Sequence, residues 1–146
     1  MSAGNRVVTL TQISDSGGTA NGGTNTTALA IGSTVAVSAV NDAPTLTTMA
    51  APVATVDEDT QATVSLASLL AQGNEADVDG TVTAFVVRAA SSGTLLIGTS
   101  AGTATAWAAG SNDTIDATRQ GYWTAASDVN GTLDAFTVVA KDSGGV

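Results

Sequence analysis

The chain contains neither cysteine nor histidine. Without cysteine there is no disulfide framework and no thiolate chemistry. Without histidine the commonest general base and the usual ligand of zinc and copper are missing. Basic residues are scarce: Arg6, Arg88, Arg119 and Lys141 stand against 13 acidic residues, a formal net charge of −9. Nucleic acid needs a basic face, so the balance argues against it and favours cations or plain solubility. Aromatic residues are few, namely Phe85, Trp107, Tyr122, Trp123 and Phe136. The core must therefore be thin and built mostly from Val, Leu, Ile and Ala. No apolar run approaches the ~20 residues of a membrane span, so membrane insertion is not expected. Met1-Ser2-Ala3-Gly4-Asn5 has no apolar signal core. No nucleophile stands beside a base, and no Gly-rich phosphate loop joins a strand to a helix; an enzyme is not expected.

What is present is Thr, Ala, Gly, Ser and Val in abundance. Small and β-branched residues with frequent Gly read as short strands and many turns, an all-β chain. Alternation predicts strands at Arg6 to Ile13, Thr34 to Val40, Ala62 to Leu66, Val82 to Ala89, Thr94 to Ile97, Ala104 to Ala108, Tyr122 to Thr124 and Leu133 to Ala140, with a short piece at Ala28 to Ile31. Leu46 to Val56, broken by Pro52, reads as an edge strand. Ser68 to Ala71 suits one helical turn, and Asp113 to Arg119 a loop with a helical turn capped by Asn112 or Asp113. Apolar residues on both faces of 82–89 mark a central strand. Val86, Phe136 and Trp107 are expected in the core. At 146 residues there is room for one β-sandwich of ~100 residues with a remainder.

Acidic residues fall at particular stations. Val40-Asn41-Asp42-Ala43-Pro44 follows an alternating strand; then come Asp57-Glu58-Asp59, Glu75-Ala76-Asp77-Val78-Asp79-Gly80 and Asp142-Ser143-Gly144-Gly145. There is also an internal echo. Val7 to Gly18 and Ala135 to Gly145 are both alternating strands ending in Asp-Ser-Gly-Gly. The order of these motifs resembles the cadherin-like repeats of giant secreted bacterial adhesins, over nearly the whole chain. The resemblance implies a Greek-key Ig/cadherin-like β-sandwich. Residues 1–41 would be the last strands, F and G, of a preceding repeat, and 42–146 strands A to F of the next, without its own G strand. It implies calcium as the bound ion. Glu58 matches the family's glutamate after strand A. Asp77 and Asp79 match its Asp-x-Asp between strands B and C. Asp142 and Asp15 match the aspartates after strand F, and Asn41 and Asp42 match the linker. The Asp-x-Glu placed before strand F in that family is absent, with Asp128 or Asp134 as substitutes. One or two ions therefore fit better than three.

Greek-key topology places the B–C and F–G loops at the end where strand A begins. That would gather Asp42, Asp77, Asp79 and Asp142, whose mutual repulsion a divalent cation relieves. Glu58 would lie at the other end. The expected function is a structural repeat of an extracellular adhesin or filament, at the cell surface or secreted. Calcium would stiffen its joints, and its partners would be neighbouring repeats or copies of itself joined head to tail. Completion of one chain's sandwich by the N-terminal strands of the next is expected to produce filaments. The competing reading is a module that recognises glycan or a surface partner through Trp107, Tyr122 and Trp123. Against it, these residues are the few large core fillers available.

Overall fold

The computed structural model describes residues 4–145; the readings made on Met1–Ala3 and Val146 lie outside them. The chain divides into two compact units, Met1–Val40 and Asn41–Val146.

The first unit is an antiparallel pair, β1 (Gly4–Ser14) and β2 (Thr26–Val37). Its register sets Arg6 against Val35, Val8 against Ser33 and Leu10 against Ile31, with an irregularity between Leu10 and Gln12. The connecting loop turns at Asp15, whose Oδ1 accepts the Gly17 N–H at 2.8 Å. Sequence alternation anticipated β1. It underestimated β2, which runs unbroken through Gly32 because Thr9 pairs with that glycine across the ladder. Residues opposite each other share a face. Val8, Leu10, Ile31 and Val35 thus form one apolar stripe, and all four are exposed, Val8 at 65% and Ile31 at 59%.

The second unit contains β3 (Gln61–Val64), α1 (Leu66–Gln72), β4 (Ala84–Ala90), β5 (Thr94–Gly98), β6 (Thr105–Ala106), β7 (Thr114–Asp116), β8 (Gln120–Thr124) and β9 (Phe136–Lys141). The fold is all-β, with antiparallel sheets in the orders β3-β8-β5-β6 and β7-β4-β9. Side chains from both sheets meet in one core: Ala62 and Val64 of β3, Leu95 and Ile97 of β5 and Trp123 of β8, against Phe85 and Val87 of β4, Ile115 of β7 and Ala140 of β9. Leu69 of α1 joins them. The helix starts at Ser65, whose Oγ accepts the Ser68 N–H while Ser68 Oγ accepts the Ser65 N–H, a reciprocal cap. β4 is central, as its two-sided apolar pattern anticipated, and Ala84 to Val87 are all buried. A bulge at Arg88 interrupts its register with β9 and breaks the simple alternation read across 82–89. Gly93 (φ +65°) turns β4 into β5 where a Cβ would press on the Thr124 carbonyl and the Trp123 indole.

Three local expectations are corrected. Residues 46–56 form no strand. Instead there are single bridges, Thr45 to Ala76 and Met49 to Gly73. The Asn74 side chain takes over part of the pairing: its Oδ1 accepts the N–H groups of Thr47 and Thr48 at 3.1 and 2.8 Å. Residues 113–119 hold no helical turn, because Thr114–Asp116 pairs with β4 as β7. Asn112 caps no helix; its Nδ2 donates to the carbonyls of Ile97, Thr105 and Ala106. Phe136 and Trp107 are half-buried rather than buried, whereas Val86 is 6% exposed, as expected. The Trp107 indole donates to the Val87 carbonyl at 3.3 Å from the rim of the core. Phe136 stands on β9, which has a partner strand on one side only among the described residues.

Candidate functional site

The acidic loops of the second unit meet through side-chain bonds. Asn41 Nδ2 donates to Asp142 Oδ2 at 2.7 Å. The neighbouring Asp42 N–H donates to Asp79 Oδ1 at 3.3 Å. Asp77 Oδ1 accepts the N–H groups of Asp79 and Gly80 at 3.1 and 2.9 Å. Asn41, Asp42, Asp77, Asp79 and Asp142 are therefore linked into one set. The turn after Val78 closes on Asp77, and Gly80 leaves space there: a Cβ on it would lie 2.9 Å from Asp77 Oδ2.

Asp142 is buried, and each of its oxygens has donors. Oδ1 accepts from Gly144 N–H at 2.8 Å and Gly145 N–H at 2.7 Å, and Oδ2 from Asn41. The Asn41 bond, assisted by the two backbone N–H groups, outweighs burial and holds this carboxyl below the usual carboxylate range. Its negative charge is met by protein dipoles. Asp77 differs. Its Oδ2 is buried and has no hydrogen-bond donor, and the same is true of Glu75 Oε2. Buried carboxylate oxygens without a partner are costly unless a proton or cation meets them.

The remaining candidates stand apart. Glu58 lies in the exposed turn Asp57–Thr60, which is closed by Thr60 N–H and Oγ1 on the Asp57 carbonyl. Asp15 belongs to the first unit and binds Gly17 within its own loop. Among the described residues no three acidic side chains stand close enough together to hold one ion. A shared ion would have to draw Asp77 Oδ2 together with oxygens now engaged elsewhere, such as Asp79 Oδ1.

The aromatic candidates are placed differently from a sugar platform. Tyr122 and Trp123 are buried at 5% and 8% exposure, and the Trp123 indole donates to the Ser92 carbonyl at 2.7 Å. A groove of about 600 Å³ is lined by Leu46, Met49 and Val53, by Phe136 and Val138 of β9, and by Trp123. Sequence reading missed this groove and Glu75. Glu75 had a signal, since it opens the acidic run that includes Asp77. The groove had only the indirect one of a strand expected to lack its neighbour.

No family model, curated protein or solved structure matches the chain.

Proposed function

We propose that the chain is a structural module of an extracellular adhesin or filament, with an Ig/cadherin-like Greek-key sandwich in its second unit. The supporting observation is the topology. β3-β8-β5 and β4-β9 have the sheet partition of strands B, E, D and C, F in such sandwiches. The Asn41-Asp42 junction is bonded to the loop before β4 and the loop after β9. An inter-module joint in this fold uses those same positions. The module's work is mechanical, to space and orient its neighbours. A glycan-binding role through Tyr122 and Trp123 is disfavoured because both rings are committed to the core.

Calcium belongs to this proposal at Asp77, where a hard oxygen ligand lacks a donor. Glu75 and Asp79 are the other carboxylates of that loop. A bound ion would supply positive charge to oxygens the protein leaves unmet and so tighten the loop against Asn41 and Asp42. An ion that binds only the folded state raises stability by mass action, about 2.7 kcal/mol at a concentration one hundred times Kd. Calorimetry should show a higher Tm in calcium than in chelator. Asp77→Asn keeps the turn-closing Oδ1 but removes the charge, and should erase the difference. Equal melting of the native chain in calcium and chelator rules out the ion.

A further inference from the structure

We propose that Asn130 is a self-modifying site, where water converts the side-chain amide to a carboxylate through a ring formed with the Gly131 nitrogen. The proposal goes beyond the structural-module reading and does not depend on it. Three observations carry it.

The first is the chemistry of the pair Asn130-Gly131. The main-chain nitrogen that follows an asparagine can attack its side-chain Cγ. Glycine obstructs that approach least, having no Cβ. The Gly131 nitrogen gives its proton to solvent and bonds to Asn130 Cγ. The Cγ–Nδ2 bond breaks, and ammonia leaves. Water then opens the five-membered ring. Opening at Cγ yields an aspartyl residue. Opening at the main-chain carbonyl yields an isoaspartyl residue, whose main chain runs through Cβ and Cγ. Nothing is oxidised or reduced, and the only co-reactant is water.

The second is the freedom of the segment. Asn130 and Gly131 lie in the connection from β8 to β9, and both are exposed. The turn before them closes at Val129, whose N–H donates to the Ala126 carbonyl at 3.2 Å. Backbone bonding resumes at the Asp134 and Ala135 carbonyls, which accept from Ser92 Oγ and the Ser91 N–H. Among the described residues neither the Asn130 side chain nor the Gly131 N–H has a hydrogen-bond partner. A Cβ on Gly131 (φ +101°) would meet nothing within 4 Å, so the ring has room to close. A segment with so few bonds rearranges at little cost.

The third is the contrast with similar pairs. Asn21 also precedes a glycine, but its turn is closed by the Gly23 N–H on the Ala20 carbonyl at 3.2 Å. Its ψ of 30° turns the Gly22 nitrogen away from the Asn21 side chain. The Asn41, Asn74 and Asn112 amides are committed to Asp142, Thr47 and the Ile97 carbonyl. Asp79-Gly80 could close the same ring, yet Asp77 Oδ1 holds the Gly80 N–H at 2.9 Å. Asn130 combines a glycine neighbour with an amide and a nitrogen that nothing restrains. The product places a new carboxylate between Asp128 and Asp134.

The test uses the full chain, aged in mildly alkaline buffer, with an unaged sample digested in parallel as the baseline. Trypsin cleaves after Arg119 and Lys141 and releases residues 120–141, in which Asn130 is the one asparagine. Mass spectrometry should show an amide-to-acid exchange at position 130, as two chromatographic species, aspartyl and isoaspartyl. Asn21, read in the peptide of residues 7–88, should convert several-fold more slowly. In urea the two Asn-Gly pairs should convert at similar rates, because the turn at Asn21 is gone. Asn130→Gln, whose longer side chain disfavours the ring, should remove the main acidic species that ion exchange separates from the aged native chain. Four results overturn the proposal. One is a 120–141 peptide that stays unchanged. Another is an aspartyl product alone, as direct hydrolysis gives. The third is an Asn21 that converts as fast as Asn130 in the folded chain. The fourth is an acidic species that persists in Asn130→Gln.

Discussion

The Asp142 carboxylate accepts three hydrogen bonds, from Asn41 Nδ2 and from the N–H groups of Gly144 and Gly145. It ties the junction at Asn41 to the turn that follows β9, and Gly144 makes room for it. A Cβ on Gly144 would run into the Asn41 side chain. Gly144→Ala should therefore push Asn41 off the carboxylate. Because the folded pKa of Asp142 is depressed, its contribution to stability is fully present above the unfolded value near ~3.9. That contribution is lost as pH falls through the folded pKa. Asp142→Asn should thus lower Tm at neutral pH, and the gap to the native chain should close on acidification from pH about 5 to about 2. Tm measured against pH for both proteins checks this; a gap constant across that range would show that Asp142 acts through packing alone. Asp116 is held low as well. Burial opposes ionisation there, but bonds from Thr118 N–H and Oγ1 and Arg119 N–H prevail. Tm against pH for Asp116→Asn alone, compared with Asp142→Asn alone, separates the two carboxyls.

At the scale of elements, β4 and β9 are neighbours with different environments. Phe85 of β4 is fully buried between sheets, whereas Phe136 of β9 is half-buried at the groove. Removing a phenyl group costs the lost transfer energy plus the cavity left behind. Phe85→Ala should cost about 3–5 kcal/mol and unfold so thin a core. Phe136→Ala should cost clearly less, since solvent already reaches that ring. Urea unfolding of the two variants gives the order directly. If they prove equal, another segment covers β9 in solution.

At the scale of the whole molecule the decisive property is the uneven charge. Arg6 balances Asp15, so the net charge of −9 falls on Asn41–Val146. Self-repulsion within that unit opposes its compact state, and salt screens it over a Debye length of about 8 Å at physiological ionic strength. Added sodium chloride should therefore raise Tm, most steeply at low ionic strength. A Tm that does not move between low and physiological salt would show that protein donors or bound cations already meet these carboxylates.

The sequence by itself determined the all-β class, the central position of β4 and the alternation of β1. These follow from periodicity, β-branched composition and turn residues, which are local and therefore readable along the chain. Several features were settled only in three dimensions. The 46–56 segment lost its strand because Asn74, distant in sequence, claimed its N–H groups. Thr114–Asp116 became a strand because β4 had a free edge to offer. Phe136 stayed half-exposed because exposure depends on which strand lies alongside, not on the residue's own hydrophobicity. Asp142 and Asp77 read alike in sequence, yet one is satisfied by N–H donors and the other leaves a buried oxygen unmet. Hydrogen-bond donors come from whatever the fold brings near, and only tertiary structure chooses them.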